Sequence, residues 1–217
     1  MKKKVKKIIV LGPQGSGKDT QSEKLSKELK IPFFGMGDIF RQELKNKTKI
    51  GKKVADLINK GQLVPDKIAL ELLKKRLAKK KAQKGFILNG FPRNINQAKM
   101  LEKVVIIDLV MEIYISDKEG IHRLSGRRVC PVCGATFHIK YKPPKEENIC
   151  DYCGAELIVR EDDKEQAIKK RLKIYHQRTE PVFDYYRQKG LYLKINGEQT
   201  INNVFKEIIN KLKKIIE

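Results

Sequence analysis

Residues 12–18, "GPQGSGK", match the pattern G-x-x-x-x-G-K, and they stand between an apolar run, "KKIIVLG", and a stretch with helical apolar spacing, "GKDTQSEKLSKELK". In a strand–loop–helix context this pattern makes a phosphate cradle. Backbone N–H groups and the helix N-terminus face the oxygens, and Lys18 adds a point charge. The chemistry implied is nucleoside triphosphate binding. The next residue is Asp19, where P-loop enzymes generally place a hydroxyl that points at the metal. Two readings stand open for it. Its carboxylate orients metal-bound water, or it complements the positive end of the helix, an effect of roughly 0.3 to 1 kcal/mol.

The four cysteines carry a second chemistry. Cys130-Pro-Val-Cys133, sixteen residues, then Cys150-Asp-Tyr-Cys153 is the spacing of a tetrahedral zinc site. Two disulfides are the competing use of four thiols, and a reducing compartment disfavours them. Four thiolates leave no coordination position for water, so the expected role of the zinc is structural. Between Arg128 and Arg160 there are few apolar residues, and a module this small ordinarily needs such a staple.

The elements that hold these residues alternate. After the first strand and helix come a helix-rich stretch from about 35 to 64, a helix over "DKIALELLKKRLAKK", and a strand "GFILNGFPR" that ends in a turn. "VVIIDLVMEIYI" is the most apolar segment and reads as a central parallel strand. A helix through "DKEGIHRLSGRR", the cysteine-bounded insert, a long helix "DKEQAIKKRLKIYHQRTEPVFDYYRQKG", a strand "LYLKING" and a last helix complete the chain. Strands alternating with helices predict an α/β fold with a doubly wound parallel sheet.

Length and composition are consistent with one such domain of 217 residues. Hydrophobic residues make up 40%, and no apolar stretch approaches the roughly 20 residues a bilayer span needs. The start "MKKKVKKIIVLGPQG" has a basic head, but its apolar run is too short for a signal peptide and leads into the glycine loop, so a cytoplasmic location is expected. A net charge of +22 would suit a nucleic-acid binder. The lysines are instead spread along helices such as "ALELLKKRLAKKKAQKG", with few aromatics among them, which is the pattern of solvated helix faces.

With "GPQGSGKDTQ", "GDIFR", "LNGFPR", "LSGRR", "VREDD" and "KKRLKIYHQRTEPVFDYY" in this order and spacing, the chain resembles the adenylate kinase family over essentially its whole length. The resemblance implies a P-loop kinase core (1–217), a helical monophosphate-binding insert (35–64) and a small zinc-binding lid (128–160) bearing Cys130, Cys133, Cys150 and Cys153. It implies reversible Mg²⁺-dependent transfer of the terminal phosphoryl group of ATP to AMP, giving two ADP, by a protein that works as a monomer. Neither membrane nor nucleic acid is expected as a partner. It places ATP on Gly15, Ser16, Gly17, Lys18, Asp19 and Thr20, with Arg123 and Arg127 in the lid helix, and with Phe137 and Gln199. AMP falls on Met36, Arg41, Gln62, Leu63, Val64, Gly90, Phe91, Pro92, Arg93 and Gln97. Arg160 and Arg171 lie beyond the lid and reach both nucleotides, and Lys18, Arg93, Arg127, Arg160 and Arg171 carry the transfer. In a chain that otherwise prefers lysine, arginine at these positions fits a reaction that asks for positioned charge, since a planar guanidinium grips phosphate bidentately. His122, His138 and His176 read as structural or surface residues, because the attacking phosphate oxygen is already anionic.

Three departures keep alternatives open. Met36 stands where the family usually has a threonine that contacts adenine, so a kinase of broader or different base specificity is a second reading. Asn89 in "LNGFPR" replaces the family's usual aspartate, which holds a water on Mg²⁺, and Asp19 replaces its usual glycine. One carboxylate is thereby exchanged for another, with Asp162 and Asp163 as further candidates for the water shell. A P-loop ATPase whose zinc ribbon binds RNA or DNA is a third reading. The paired monophosphate motifs speak against it.

Overall fold

The computed structural model describes residues 5–60 and 62–216; the basic start 1–4, Gly61 within the 35–64 insert, and residue 217 lie outside it. Five parallel strands form the sheet: β1 (Lys7–Leu11), β2 (Phe33–Gly35), β3 (Phe86–Asn89), β4 (Leu109–Tyr114) and β7 (Tyr192–Asn196), in the spatial order β2-β3-β1-β4-β7. Alternate residues of each strand serve opposite faces. On β1, Ile9 and Leu11 join Leu88 and Val110 in one apolar layer, whereas Ile8 and Val10 join Ile87, Leu109, Met111 and Ile113 in the other.

The first layer is covered by α4 (Asp66–Leu77), α6 (Ile95–Glu102) and α9 (Pro181–Arg187), the second by α1 (Lys18–Leu29) and α10 (Ile201–Ile216). This is the doubly wound α/β core expected from the alternation. The chain leaves β1 for β2 at one edge, returns through β3 beside β1, and only then crosses to β4. Ligands in such sheets bind at the carboxyl ends of the strands where the order reverses. The glycine loop sits at that point, between β1 and α1.

The apolar run "VVIIDLVMEIYI" yields the interior parallel strand expected of it, β4 between β1 and β7, but the strand begins only at Leu109. Asp108 is the reason for the late start: its Oδ2 accepts the backbone N–H groups of Lys6 and Lys7 at 2.9 and 2.8 Å, and Ile106 is left 80% exposed. The helix expected over "DKIALELLKKRLAKK" stops at Leu77, and a short α5 (Lys80–Gln83) follows.

Two peripheral pieces flank the carboxyl ends. Helices α2 (Met36–Lys45) and α3 (Lys49–Asn59) rise from β2; Thr48 caps α3 by accepting the Gly51 N–H at 2.9 Å. The other piece follows α7 (Asp117–Ser125), where β5 (Arg127–Val129) pairs antiparallel with β6 (Thr136–His138). Gly126 ends α7, so Arg127 stands on a strand and not on the helix expected from "DKEGIHRLSGRR". The core of this piece is small: Cys130, Phe137, Cys150 and Leu157, with Ala135 and Ala155 against them.

The long helix expected over "DKEQAIKKRLKIYHQRTEPVFDYYRQKG" is α8 (Glu165–Ile174) and α9 joined through a π turn (Tyr175–Thr179), with Pro181 at the start of α9. A proline removes one backbone donor, and the widened turn accommodates it. In that turn His176 meets two carboxylates, Nδ1 with Glu180 Oε2 at 2.8 Å and Nε2 with Asp117 Oδ1 at 2.9 Å. The hydrogen bond to Glu180, then the one to Asp117, raises the His176 pKa above its usual value despite partial burial. Folding therefore gains from the charged ring below the unfolded pKa, about 6.5, and loses that gain as pH rises through the elevated folded value. Because the groups are largely exposed, about 0.5 kcal/mol is expected. The denaturation midpoint of the wild type should fall relative to that of His176→Gln between pH 5.5 and pH 8.5. Parallel curves would show that the clasp contributes nothing.

Candidate active site

The glycine loop takes the conformation its sequence demands. Gly15 and Gly17 have φ of +84° and +80°, a region L side chains rarely adopt, and a Cβ on Gly15 would stand 2.8 Å from the Gly120 carbonyl oxygen. The loop thus packs directly on α7, the helix that leads into the cysteine-bounded piece. Lys18 opens α1 and donates from Nζ to the Pro13 carbonyl at 3.0 Å, so it curls back over the loop. Confinement in the protein pulls its ammonium to about 8, with Arg93, Arg171 and Arg127 adding to this against Asp19. Such a cation gains from an anionic partner.

Gly17 holds the cap position without a side-chain hydrogen bond, and Asp19 is the acidic residue of the first turn, placed to complement the positive end of the helix without capping it. Its Oδ1 instead accepts from Asn89 Nδ2 at 2.5 Å, across from the end of β3. Asn89 is 3% exposed and its Oδ1 has no partner among the described residues, while Asp19 is exposed. An exposed carboxylate beside an orphaned amide oxygen, next to a phosphate cradle, fits a hydrated divalent cation.

The arginines converge from distant parts of the chain. Arg93 is oriented by its own turn: Nε donates to the Gly90 carbonyl at 3.0 Å, and its carbonyl accepts from Thr179 Oγ1 at 3.1 Å. Arg127 grips Asp163 with two N–H groups, one bond at 2.7 Å. Arg171 donates to the Asp162 carbonyl at 2.7 Å and lies 3.0 Å from its carboxylate. Burial and the neighbouring cations lower the guanidinium pKa of Arg93 (Arg171 adjacent) and Arg160 (Arg41 and Arg127 adjacent) to about 10 each. Four arginines and a lysine thus crowd one cleft with few acids to balance them, a field that draws polyanions.

Asp163 is corrected by this pairing: its side chain is fully buried against Arg127 and is not free for a metal's water shell, whereas Asp162 pairs with Arg171 but keeps 24% of its side chain exposed and lines the neighbouring pocket. Other expected residues fall outside the cluster. Arg123 sits on α7 and donates to Glu119 at 2.6 Å and to the Gly197 carbonyl at 3.0 Å. Gln199 is tied to its own loop, donating to the Asn196 carbonyl and to Glu207. Phe137 is 1% exposed inside the cysteine-bounded core, so its ring offers no surface to a base.

Beside the arginines lies an open pocket. Met36, Gly37, Phe40, Ile58, Leu63, Val64 and Ala69 give it an apolar wall; Arg41, Arg93 and Arg171 stand at the charged end with Asp162; Gly90, Phe91, Gln62 and Gln97 complete it. Pro92 follows as the next residue of the same turn. Asp66 and Thr179 are contributors the sequence did not reveal. Asp66 looks like a helix-opening residue after a proline, and nothing in the spacing announces the three side chains it accepts from.

The four cysteine Sγ atoms lie within 4.8 Å of one another, with Cys130 and Cys153 at 3.4 Å and Cys133 and Cys150 at 3.5 Å. A tetrahedron of sulfurs around zinc has edges of about 3.8 Å, so the cluster matches one ion. The Cys133 backbone N–H helps pull the Cys130 thiol down to about 6. At Cys153 the Ala155 N–H favours the thiolate, but Cys130, burial and the remaining thiols outweigh it and push the group up to about 12. A dication removes that mutual opposition. His138 Nδ1 accepts the backbone N–H groups of Lys140 and Tyr141, His176 is held by Glu180 and Asp117, and His122 is exposed with its ring near Tyr141.

The chain matches the family model "Adenylate kinase" over residues 10–191. It is similar to the adenylate kinase of Caldicellulosiruptor bescii, 47% identical over 95% of this chain and 98% of that protein. The adenylate kinases of Acetivibrio thermocellus (44%, covering 95% and 97%) and Archaeoglobus fulgidus (42%, covering 96% and 98%) are also similar.

Proposed function

The chain belongs to the adenylate kinase family and transfers the terminal phosphoryl group of ATP reversibly to AMP, and we propose that the residues gathered at the strand ends divide the work as follows. The convergence of Lys18, Arg93, Arg127, Arg160 and Arg171 between the glycine loop and the pocket supports this reading most. ATP phosphates lie on the loop amides of Gly15 to Thr20, and AMP lies in the pocket with its phosphate toward Arg41 and Arg93. An AMP phosphate oxygen attacks the γ-phosphorus; that P–O bond forms as the bond to the β-phosphate oxygen breaks, and ADP leaves. No base is needed. The arginines hold both phosphates in line and meet the charge spread over the transferred group.

Bound Mg²⁺ neutralises charge on the phosphate oxygens, and Asp19 with Asn89 are the residues that hold its water shell. Closure of 35–64 and 128–160 excludes water, which would otherwise take the phosphoryl group. Zinc on the four cysteines holds 128–160 in shape. The protein acts as a cytoplasmic monomer, as its resemblance to the family implies. Separately, no helix among the described residues is long and apolar enough to cross a membrane. ADP formation from ATP with each nucleoside monophosphate, with and without RNA, tests the assignment. AMP should be the best acceptor and RNA without effect.

Two expected results follow from departures in the sequence. Asp19→Gly should lower kcat by about tenfold or more and raise the Mg²⁺ requirement, and Asn89→Asp should partly restore both, a strongly non-additive pair. Additive effects, or a stability loss with an unchanged Mg²⁺ requirement, would return Asp19 to a role in the helix terminus. Met36 is 1% exposed in the pocket wall, and a thioether is a weak hydrogen-bond partner. Met36→Thr should therefore sharpen the preference for AMP over other monophosphates by several-fold. A preference that stays the same or weakens counts against a base contact at this position.

A further inference from the structure

We propose that Asp66 sets which base the monophosphate pocket accepts, by fixing the orientation of the Gln97 side-chain amide; this rests on the reading above in which Gln97 faces the base. Asp66 is the first residue of α4. Its Oδ1 accepts from Asn94 Nδ2 at 3.0 Å and from Gln97 Nε2 at 2.8 Å, and its Oδ2 accepts from Asn96 Nδ2 at 2.6 Å. An ionised carboxylate can only accept. On its other side, Gln97 Oε1 accepts the backbone N–H of Arg93 at 2.7 Å. A backbone N–H can only donate. Turning the amide over would set Oε1 against the carboxylate and Nε2 against an N–H, replacing two hydrogen bonds with two repulsions. Gln97 is 2% exposed, so water cannot relieve them. The same residue anchors the segment that carries Arg93, because Asn94 caps α6 by accepting the Gln97 N–H at 2.7 Å.

The locked amide keeps one N–H and one oxygen lone pair uncommitted, in a fixed order. Adenine offers an acceptor at N1 beside a donor at its 6-amino group, and hypoxanthine offers the reverse, N1–H beside O6. With the phosphate held at Arg41 and Arg93 and the ring against the Met36 wall, a base cannot turn over to find its match. The donor–acceptor order therefore selects between them, and sites that read a polar edge reject the mismatched one because buried groups are left unpaired. Met36 adds no strong polar contact of its own, so this discrimination falls on Gln97. Burial opposes ionisation of Asp66, but the hydrogen bonds from Asn96, Asn94 and Gln97 outweigh it and hold the carboxyl below its usual pKa, as a pure acceptor.

The test compares AMP with IMP as acceptors. In Asp66→Asn the new carboxamide can present N–H or oxygen to Gln97, so the ratio of kcat/KM for AMP over IMP should fall at least tenfold. The change should come through the KM values of the monophosphates, with KM for ATP unchanged. Asp66→Glu, which keeps an acceptor-only group, should retain much of the preference. Asn96→Ala removes a donor to Asp66 without touching Gln97 and should keep the wild-type ratio. A folded Asp66→Asn protein with the wild-type ratio overturns the proposal, and so does an equal loss in Asn96→Ala, which would mean general loosening of α4. If Asp66→Asn does not fold, Asp66→Ser carries the same expectation. Gln97→Leu separates the two levels: an unchanged ratio there means that Gln97 does not face the base and the underlying reading fails. A ratio that falls in Gln97→Leu but not in Asp66→Asn sinks only the role of Asp66.

Discussion

Arg93→Lys is expected to lower kcat by about 10²- to 10³-fold with only a small change in melting temperature. Arg93 is held by the Gly90 carbonyl so that its planar fork faces the space between the glycine loop and the pocket, and burial with Arg171 beside it already lowers its pKa to about 10. A group placed among like charges costs folding free energy and gains from the polyanion. Lysine keeps the charge but loses the fork and the Gly90 anchor, so it cannot hold the two oxygens of one phosphate in line. The check is steady-state kinetics beside thermal unfolding. A kcat within about threefold of the wild type, or a large fall in melting temperature, would make Arg93 a structural residue.

Removing zinc is expected to lower the melting temperature by about 10 °C or more, while activity of the folded protein at 25 °C changes only several-fold. The piece that holds the cysteines buries few large apolar side chains, Phe137 and Leu157 at its centre beside Cys130 and Cys150, and Val129 on β5. Its two strands have three residues each. Without metal, the apolar area and the ladder hold it only weakly, so its order is lost at a lower temperature than that of the rest of the chain. The phosphate-binding loop, by contrast, is built on β1 and α1 and packs on Gly120, none of which depends on the cysteines. Metal analysis that finds less than one zinc per chain, or a chelated protein with an unchanged melting temperature, would remove the ion from the account.

The glycine loop, the alternation of strands and helices, and the cysteine spacing were legible in the sequence because each is a local pattern with a physical cause. Strand faces follow from period two, and Gly15 and Gly17 follow from positive φ. The misplacements share a different origin. The helix expected through "LSGRR" stops at Gly126, the stop signal within that run, and the pairing of β5 with β6, about ten residues on, puts Arg127 on a strand. The strand in "VVIIDLVMEIYI" starts late because Asp108 is recruited by the backbone of Lys6 and Lys7, a contact about a hundred residues away in sequence. Asp163 and Asp66 carry no sign of their partners in the sequence for the same reason. Their roles exist only once Arg127 and Gln97 are brought to them by the fold.

The central claim is that the strand-end arginines and the glycine loop hold two nucleotides for direct transfer with water shut out. The most direct measurement uses ATP labelled in the γ-phosphate, incubated with AMP and Mg²⁺, with label followed into ADP and into inorganic phosphate. The account predicts label in the β-phosphate of the ADP formed from AMP, with negligible inorganic phosphate whether or not AMP is present. Label released mainly as inorganic phosphate, at a rate independent of AMP or stimulated by RNA, would contradict it.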